Sequence, residues 1–318
     1  MAVYTQVSPQ ALAAFLARYD CGTLRSAKGI AEGIENSNYL VETSTGRFIL
    51  TLYEKRVHAG DLPFFLSMLD HLAARDVPVA PAVADQAGVH VQTLAGRPAC
   101  LIRFLPGLSP ATPTPAQAEA AGAALATMHL ALADFAATRA NDLGVDGWAP
   151  LLARCGTAID AIAPGLHDRL AAALDEVVPR WPRALPRGAI HADFFPDNVL
   201  MLDDRVTGVI DFYFACTDLI AYDLAIAHGA WAFDGGGTRF DADVARALLR
   251  GYAAHRALSA AERDALPLLA MGACIRFALT RAWDWLNTPA DALVTRKDPC
   301  AYLNRLDFYR AHRHAAFQ

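Results

Sequence analysis

Positive charge is scarce in this chain of 318 residues: 28 lysines and arginines stand against 33 aspartates and glutamates, and the formal net charge is -5. Nucleic acids and anionic membranes attract proteins through concentrated basic patches. No stretch supplies one, so neither is an expected partner. Cysteine is also sparse. Cys21, Cys100, Cys155, Cys216, Cys274 and Cys300 lie far apart with no Cys-x-x-Cys pair, so scattered reduced thiols of a cytoplasmic protein explain them better than a zinc site or disulfide framework. Long apolar runs are missing as well: residues 265–275 are uncharged but too few to cross a bilayer, which takes about 20 apolar residues. Residues 1–20 have neither the basic start nor the continuous apolar run of a secretory signal. They read as a short amphipathic helix capped by Ser8, with Pro9 in its first turn.

What is plentiful is apolar side chain, 54% of the sequence, which is enough to bury two lobes; a chain of this length favours two over one. Residues 22–104 read as a mostly antiparallel sheet with one helix. β-branched and aromatic residues at 38–42 and 48–53 flank Thr43-Ser44-Thr45-Gly46, which has turn chemistry, and together they predict a hairpin. A helix at 61–75 and strands around 89–93 and 98–104 follow. Pro106, Pro110, Pro113 and Pro115 then interrupt ladders and helices alike, which divides the chain into residues 1–104 and 105–318. Beyond them the pattern turns helical: 116–137 with Ala121, Leu125, Met128, Leu132 and Phe135 on one face, two segments at 149–178 broken at Pro164-Gly165, then 242–252, 259–285 and 302–312. Asp234-Gly235-Gly236-Gly237 reads as a flexible connection. The class is α+β, a small antiparallel-sheet lobe followed by a large, mostly helical one.

One interruption of the helical half carries chemistry. Ala189-Ile190-His191-Ala192-Asp193-Phe194-Phe195-Pro196-Asp197-Asn198-Val199-Leu200 is followed by Val209-Ile210-Asp211-Phe212. Short apolar runs at 188–190, 198–202 and 206–210 predict strands, the last two joined by a turn at Asp203-Asp204. Asp193, Asn198 and Asp211 then sit at strand ends. An isolated Asp-x-x-x-x-Asn is usually only a turn, but here it comes with flanking strands, a preceding histidine and a second aspartate before an aromatic ring. Phosphoryl transfer needs this set: one carboxylate to orient and deprotonate a hydroxyl, and two oxygen ligands to hold Mg²⁺ on nucleotide phosphates.

His-x-Asp-x-x-x-x-Asn followed by Asp211-Phe212-Tyr213 resembles the catalytic loop and metal segment of the protein-kinase-like fold. His191-Ala192-Asp193, with no arginine in the middle, is closer to the aminoglycoside phosphotransferase and choline kinase branch. Gly33-Ile34-Glu35-Asn36-Ser37-Asn38-Tyr39, Phe48-Ile49-Leu50-Thr51-Leu52-Tyr53-Glu54 and Arg276-Phe277-Ala278-Leu279-Thr280-Arg281-Ala282-Trp283-Asp284 look like segments of the homoserine kinases built on that fold. The resemblance implies a bilobal kinase that uses Mg²⁺ and ATP to phosphorylate a small hydroxylated amino acid, with Asp193 catalytic and Asn198 and Asp211 as metal ligands. Nucleotide contacts fall on Ser37 and Asn38 beyond a glycine-containing loop at 29–33, on Thr51, and on the main chain of Arg103 and Leu105 in the hinge. His191 and Asp223 support the catalytic loop, and a histidine at the place of His129 packs beneath it.

The chain departs from the wider kinase pattern at Thr51, which stands where a strand lysine is expected. Lys28, Lys55 and Arg56 are the candidates to replace that cation. Arg276, Arg281 and Asp284 are candidates for binding an acceptor's carboxylate and ammonium, or else an intrahelical ion-pair set. Trp231, Trp283 and Trp285 read as core rather than as a cage for a quaternary ammonium. Choline, an aminoglycoside or a sugar as acceptor, and a nucleotide-binding pseudokinase, stay open alternatives.

Overall fold

A computed structural model describes residues 5–30, 36–54, 58–288 and 296–318. They fall into two compact units, one ending at Pro106 and the other beginning at Gly107.

In the first unit, α1 (Pro9–Leu16) starts where Ser8 accepts a hydrogen bond from the Ala11 N–H, with Pro9 supplying the fixed φ of a first helical turn. Its Leu12, Phe15 and Leu16 pack with Val41, Leu50, Leu52, Ala99 and Leu101 of the sheet. That sheet is antiparallel and runs β1 (Leu24–Gly29), β2 (Asn36–Thr43), β3 (Arg47–Tyr53), β6 (Arg97–Arg103), β4 (Ala82–Val83), with β5 (Gln92–Leu94) also paired to β6. Thr43 closes the β2–β3 turn: its N–H donates to the Gly46 carbonyl and its hydroxyl oxygen accepts from the Gly46 N–H. The register this sets places Asn38 opposite Thr51. A second helix, α2 (Leu62–Ala73), buries Phe65, Met68 and Leu72.

The second unit is mainly helical. A capping box between Thr114 and Gln117 opens α3 (Pro115–Ala131). The expected continuation to residue 137 does not form. The chain leaves the helix instead so that the Arg139 carbonyl can accept from the Thr217 N–H at 2.7 Å. After α4 (Val145–Cys155), Gly165 takes a left-handed conformation ahead of α5 (Leu166–Val177). β7 (Arg187–Ile190) pairs with β10 (Cys216–Leu219), and between them in sequence β8 (Val199–Leu202) and β9 (Arg205–Val209) form a hairpin. β10 carries Asp218, a residue type depleted in strands, and gives no periodic signal of its own.

Almost all of α6 (Ile220–Trp231) is buried. α7 (Ala242–His255) crosses α3 so closely that a Cβ at Gly122 would meet the Leu248 carbonyl and one at Gly251 the Glu119 carbonyl. α8 (Ala260–Asn287) has the length and apolarity of a membrane span, yet 78% of its most apolar window is buried inside the protein, which makes it a core helix. α9 (Cys300–His312) precedes a short 3-10 segment, Arg313–Phe317. Asp234-Gly235-Gly236-Gly237 is a tied turn rather than a loose connection: Asp234 accepts from the Thr238 and Arg239 N–H groups at 2.8 and 3.0 Å, and Arg305 donates to its carbonyl.

Candidate active site

The segment 191–198 turns sharply after β7. Ala192 has φ +62°, a left-handed conformation that costs a non-glycine residue about 1–2 kcal/mol. Its surroundings hold it there. Asp223, fully buried on α6, accepts the His191 and Ala192 N–H groups, both at 2.8 Å. The Ala192 carbonyl accepts from Arg276 Nη1, the Asp193 carbonyl from Asn198 Nδ2 at 2.8 Å, and the Phe194 carbonyl from the Trp231 indole N–H at 3.0 Å. These bonds pair the backbone groups that hold the bend, as burial favours.

Asp223 is itself supported. His129 Nε2 lies 3.0 Å from its Oδ2, and His129 Nδ1 lies 2.8 Å from the Tyr252 hydroxyl. With Nε2–H donating to Asp223, Nδ1 is left to accept from the tyrosine hydroxyl. The close crossing of α3 and α7 brings that pair within reach. Burial alone would push the Asp223 carboxyl up, but the His129 hydrogen bond, both neighbouring imidazoles and the backbone donor outweigh it and hold its pKa below the ordinary value. His191 is held low, chiefly by burial and against the pull of Asp223. Its Nε2 donates to the Ile210 carbonyl at 3.0 Å, and its Nδ1 accepts from the Asp193 N–H at 3.2 Å. A neutral imidazole satisfies both contacts.

These bonds, with the β8–β9 register, bring the three oxygen-bearing residues together. Val199 pairs with Val209, and the Ile210 N–H donates to the Asn198 carbonyl at 3.0 Å, so Asn198 and Asp211 leave the hairpin side by side. Asn198 Nδ2 also donates to Asp193 Oδ2 at 3.1 Å. Both donations come from the amide nitrogen, which leaves the Asn198 amide oxygen available as a ligand. Asp211 takes φ +63° at the start of a 3-10 turn, and Phe212 packs 4.6 Å from the His191 ring. Among the described residues no group of three or more His, Cys, Asp or Glu side chains could hold a metal by itself. One carboxylate and one amide oxygen suit Mg²⁺, which binds few protein oxygens and completes its shell with phosphates and water.

The other candidates divide by position. In the first unit Thr51 donates its hydroxyl proton to Asn38 Oδ1 at 2.8 Å, and Ser37 donates to Glu54 at 2.8 Å. Arg97 pairs with Glu54 at 3.2 Å, a cation beside the end of β3 that no sequence pattern indicated. Arg103 ends β6 exposed, and Leu105 is half-buried. Lys28 is exposed on β1. Residues 31–33 of the glycine-containing loop, Lys55 and Arg56 lie outside the described residues.

On α8, Arg276 and Arg281 are five residues apart, which sets them about 140° apart around a helix. Arg276 is 2% exposed, turns to Ala192 and lies over the Phe277 ring. Arg281 donates to the Asp298 carbonyl at 3.1 Å and sits over the Tyr302 ring. Burial lowers its pKa, with Tyr302 and Asp193 among the groups opposing. Asp284 is half-buried, and its carbonyl caps the turn at Thr288. Trp231 is core; Trp283 stacks beneath Arg154 and Trp285 beneath Arg296. Burial pushes the Cys216 thiol up to about 12, which rules out a ready thiolate there, and all six cysteines are free.

Residues 26–258 match the model of the phosphotransferase enzyme family. The chain belongs to that family. It is 56% identical over 309 residues to the homoserine kinase of Acidiphilium cryptum, covering 97% of each chain, and 53% identical over 311 residues to that of Xanthobacter autotrophicus, covering 98% and 97%. Among solved structures, a spectinomycin phosphotransferase matches with TM-score 0.73 at 13% identity, covering 98% of this chain and 100% of that one. These findings bear out the protein-kinase-like fold read from the catalytic segment.

Proposed function

We propose that this protein is a cytoplasmic kinase that transfers the γ-phosphate of ATP to the side-chain hydroxyl of L-homoserine, giving O-phospho-L-homoserine for threonine biosynthesis. The observation that carries the reading is near-full-length identity to homoserine kinases combined with the Asp193–Asn198 hydrogen bond at 3.1 Å beside Asp211. Residues 1–104 form the nucleotide-binding lobe and residues 105–318 the catalytic and acceptor-binding lobe. Ser37, Asn38 and Thr51, with the main chain of Arg103 and Leu105, contact the nucleotide. Asn198 and Asp211 hold Mg²⁺, which neutralises charge on the phosphate oxygens when bound.

Asp193 accepts a hydrogen bond from the acceptor hydroxyl, aligns its oxygen with the γ-phosphorus and takes the proton as the new P–O bond forms and the bond from the γ-phosphorus to the bridging oxygen breaks, releasing ADP. Its carboxylate and carbonyl accept from Asn198 Nδ2, its N–H donates to His191 Nδ1, and Asp223 holds the two residues before it, which supports an alignment in place before substrate arrives. Such positioning is most of what a protein adds to phosphoryl transfer. Arg281 and Asp284, with Arg276, provide opposite charges for an amino-acid acceptor.

An ADP-release assay comparing L-homoserine with L-serine, L-threonine and choline tests the proposal. Serine is one methylene shorter, and discrimination of about 10- to 100-fold in kcat/KM is expected for that difference. A higher kcat/KM for any of the other three would replace the acceptor. Asp193→Ala serves as the control: it should abolish most turnover on every acceptor while ATP still binds.

A further inference from the structure

Three arginines on α8 and α9 that are buried or half-buried, Arg276, Arg281 and Arg305, pair with no carboxylate among the described residues. Arg256 and Arg310 by contrast pair with Glu262 and Glu176 at 2.7 and 2.8 Å. A guanidinium withdrawn from water needs acceptors, and the three differ in how many they have. Arg305 has one for each nitrogen: the Gly229, Ala301 and Asp234 carbonyls accept at 3.0, 2.8 and 2.7 Å. Arg276 gives its Nη1 to the Ala192 carbonyl, and its Nε, shut off from solvent, lies against the Tyr222 hydroxyl. Arg281 is half-buried and makes one hydrogen bond among the described residues, from Nη1 to the Asp298 carbonyl at 3.1 Å. Its Nε and Nη2 form the edge that can take a further acceptor, and a carboxylate fits such a fork with two parallel bonds.

Packing ties that guanidinium to the 191–198 segment. Phe277 and Arg281, four residues apart, share one face of α8. The Phe277 ring meets Phe195, two residues past Asp193, at 5.0 Å between centroids and stacks on Tyr302 at 4.9 Å. Arg281 lies 4.6 Å over the same Tyr302 ring. Asp193 and Arg281 are near enough that the carboxylate's charge acts on the guanidinium, and both act on the Tyr302 hydroxyl. Asn198, at the start of the β8–β9 hairpin, bonds Asp193 from the side assigned to metal and phosphates, whereas Phe277 and Arg281 come from α8.

We propose that Arg281 binds the carboxylate of the amino-acid acceptor through its Nε and Nη2 and so selects for a carboxylated substrate, while Arg276 serves the 191–198 segment as a positioning residue. The inference deepens the reading that the acceptor is homoserine and rests on it. Three carbons separate homoserine's carboxylate from its hydroxyl, so the group that binds the first must lie close to Asp193, which receives the second. Arg281 meets that condition with donors available. Arg276 is as close to the segment, but its fork is already engaged with Ala192 and enclosed beside Tyr222.

The test compares L-homoserine with 3-amino-1-propanol, the same molecule without its carboxylate, in the wild type, Arg281→Ala, Arg281→Lys and Arg276→Lys. In Arg281→Ala the ratio of kcat/KM for homoserine to that for 3-amino-1-propanol should fall about 10- to 100-fold, the loss of one charge-assisted contact, mainly through KM for homoserine. Arg281→Lys keeps the charge over Tyr302 and loses the fork, so the ratio should fall in the same direction by a smaller factor, which decides the matter even if the alanine variant does not fold. Arg276→Lys should lower kcat on both acceptors alike and leave the ratio where it was. Calorimetric titration of homoserine into each Arg281 variant with ADP present should show the same weakening without turnover. If the Arg281 variants lower both acceptors equally, or neither, the carboxylate does not bind here, and a wild type that still prefers homoserine leaves the functional reading standing. A wild type that prefers choline overturns that reading first and this inference with it.

Discussion

Asp223 and His228 lie on the same helix, α6, five residues apart and both fully buried, yet they support different regions by different physics. Asp223 is a charge. It gathers two backbone N–H groups of the 191–198 segment and the His129 imidazole, and those donors keep it ionised despite burial. His228 is neutral. Its Nε2 donates to the Ala316 carbonyl at 3.0 Å, its Nδ1 accepts from the Tyr309 hydroxyl at 2.6 Å, and Phe317 stacks 4.3 Å from its ring. Burial lowers its pKa to about 4. One residue fixes the geometry of a strained loop; the other fastens the C-terminal segment. A charge is suited to the first task because one carboxylate can satisfy several converging donors at once, which a neutral imidazole cannot.

The contrast is broken most severely at Asp223. Asp223→Ala strands two loop N–H groups and the His129 donor, and a loss of about 3–5 kcal/mol is expected, since each buried donor left unsatisfied costs about 1–3 kcal/mol. Turnover should fall about 100-fold or more through misplacement of Asp193. Urea unfolding and single-turnover kinetics check both; Asp223→Asn, which retains one acceptor oxygen, should fall between the alanine variant and the wild type. An alanine variant with native turnover would show that the loop keeps its shape without this anchor.

A pH titration sharpens the contrast. The folded pKa of His228 lies below its unfolded value near 6.5, so its contribution is complete above that pH and is lost as pH falls toward 4, up to about 3 kcal/mol. His191, also held low, loses stability in the same direction below pH 6.5. Asp223, whose pKa is depressed below 3.8, should lose its contribution only at more acidic pH. Urea midpoints for wild type and His228→Gln between pH 7 and 4 should therefore converge as pH falls. Parallel curves would place the acid sensitivity elsewhere.

The smallest effect is expected at the outer end of the Asp223 chain. Tyr252 also accepts from Arg256 Nη1, and Arg256 pairs with Glu262, the residue that completes the capping box of α8 with Ser259. Glu262→Gln keeps an acceptor for the cap and removes the charge from a buried pair, so a loss of about 1.5–3 kcal/mol is expected, with kcat unchanged. A fall in kcat at constant stability would show that the hydrogen-bonded chain transmits to the loop.

Much of the site was legible because it is local. Asp193, Asn198 and Asp211 fall within nineteen consecutive residues, and one hairpin turn at Asp203-Asp204 is enough to bring the last two side by side. Ser8 before Pro9 was readable for the same reason: capping chemistry acts over three residues. The end of α3 was misplaced because its apolar spacing continues past Leu132 while a distant strand, β10, claims the Arg139 carbonyl. Glycine content alone makes the Asp234 turn look loose, because its binding by Arg305 comes from 71 residues away. Arg276 is a candidate by residue type alone; its bond to Ala192 spans 84 positions and has no periodic signature.

By itself the sequence determined which oxygen-bearing side chains the candidate site contains and the order in which a hairpin presents them, since strand alternation and turn chemistry act between near neighbours. Only the tertiary structure decided that the alanine ahead of Asp193 would be held in a left-handed bend by an aspartate from α6 and an arginine from α8. The physical reason is that a buried donor or acceptor must be satisfied by whatever the fold brings within about 3 Å, and distance along the chain does not determine which residue that will be.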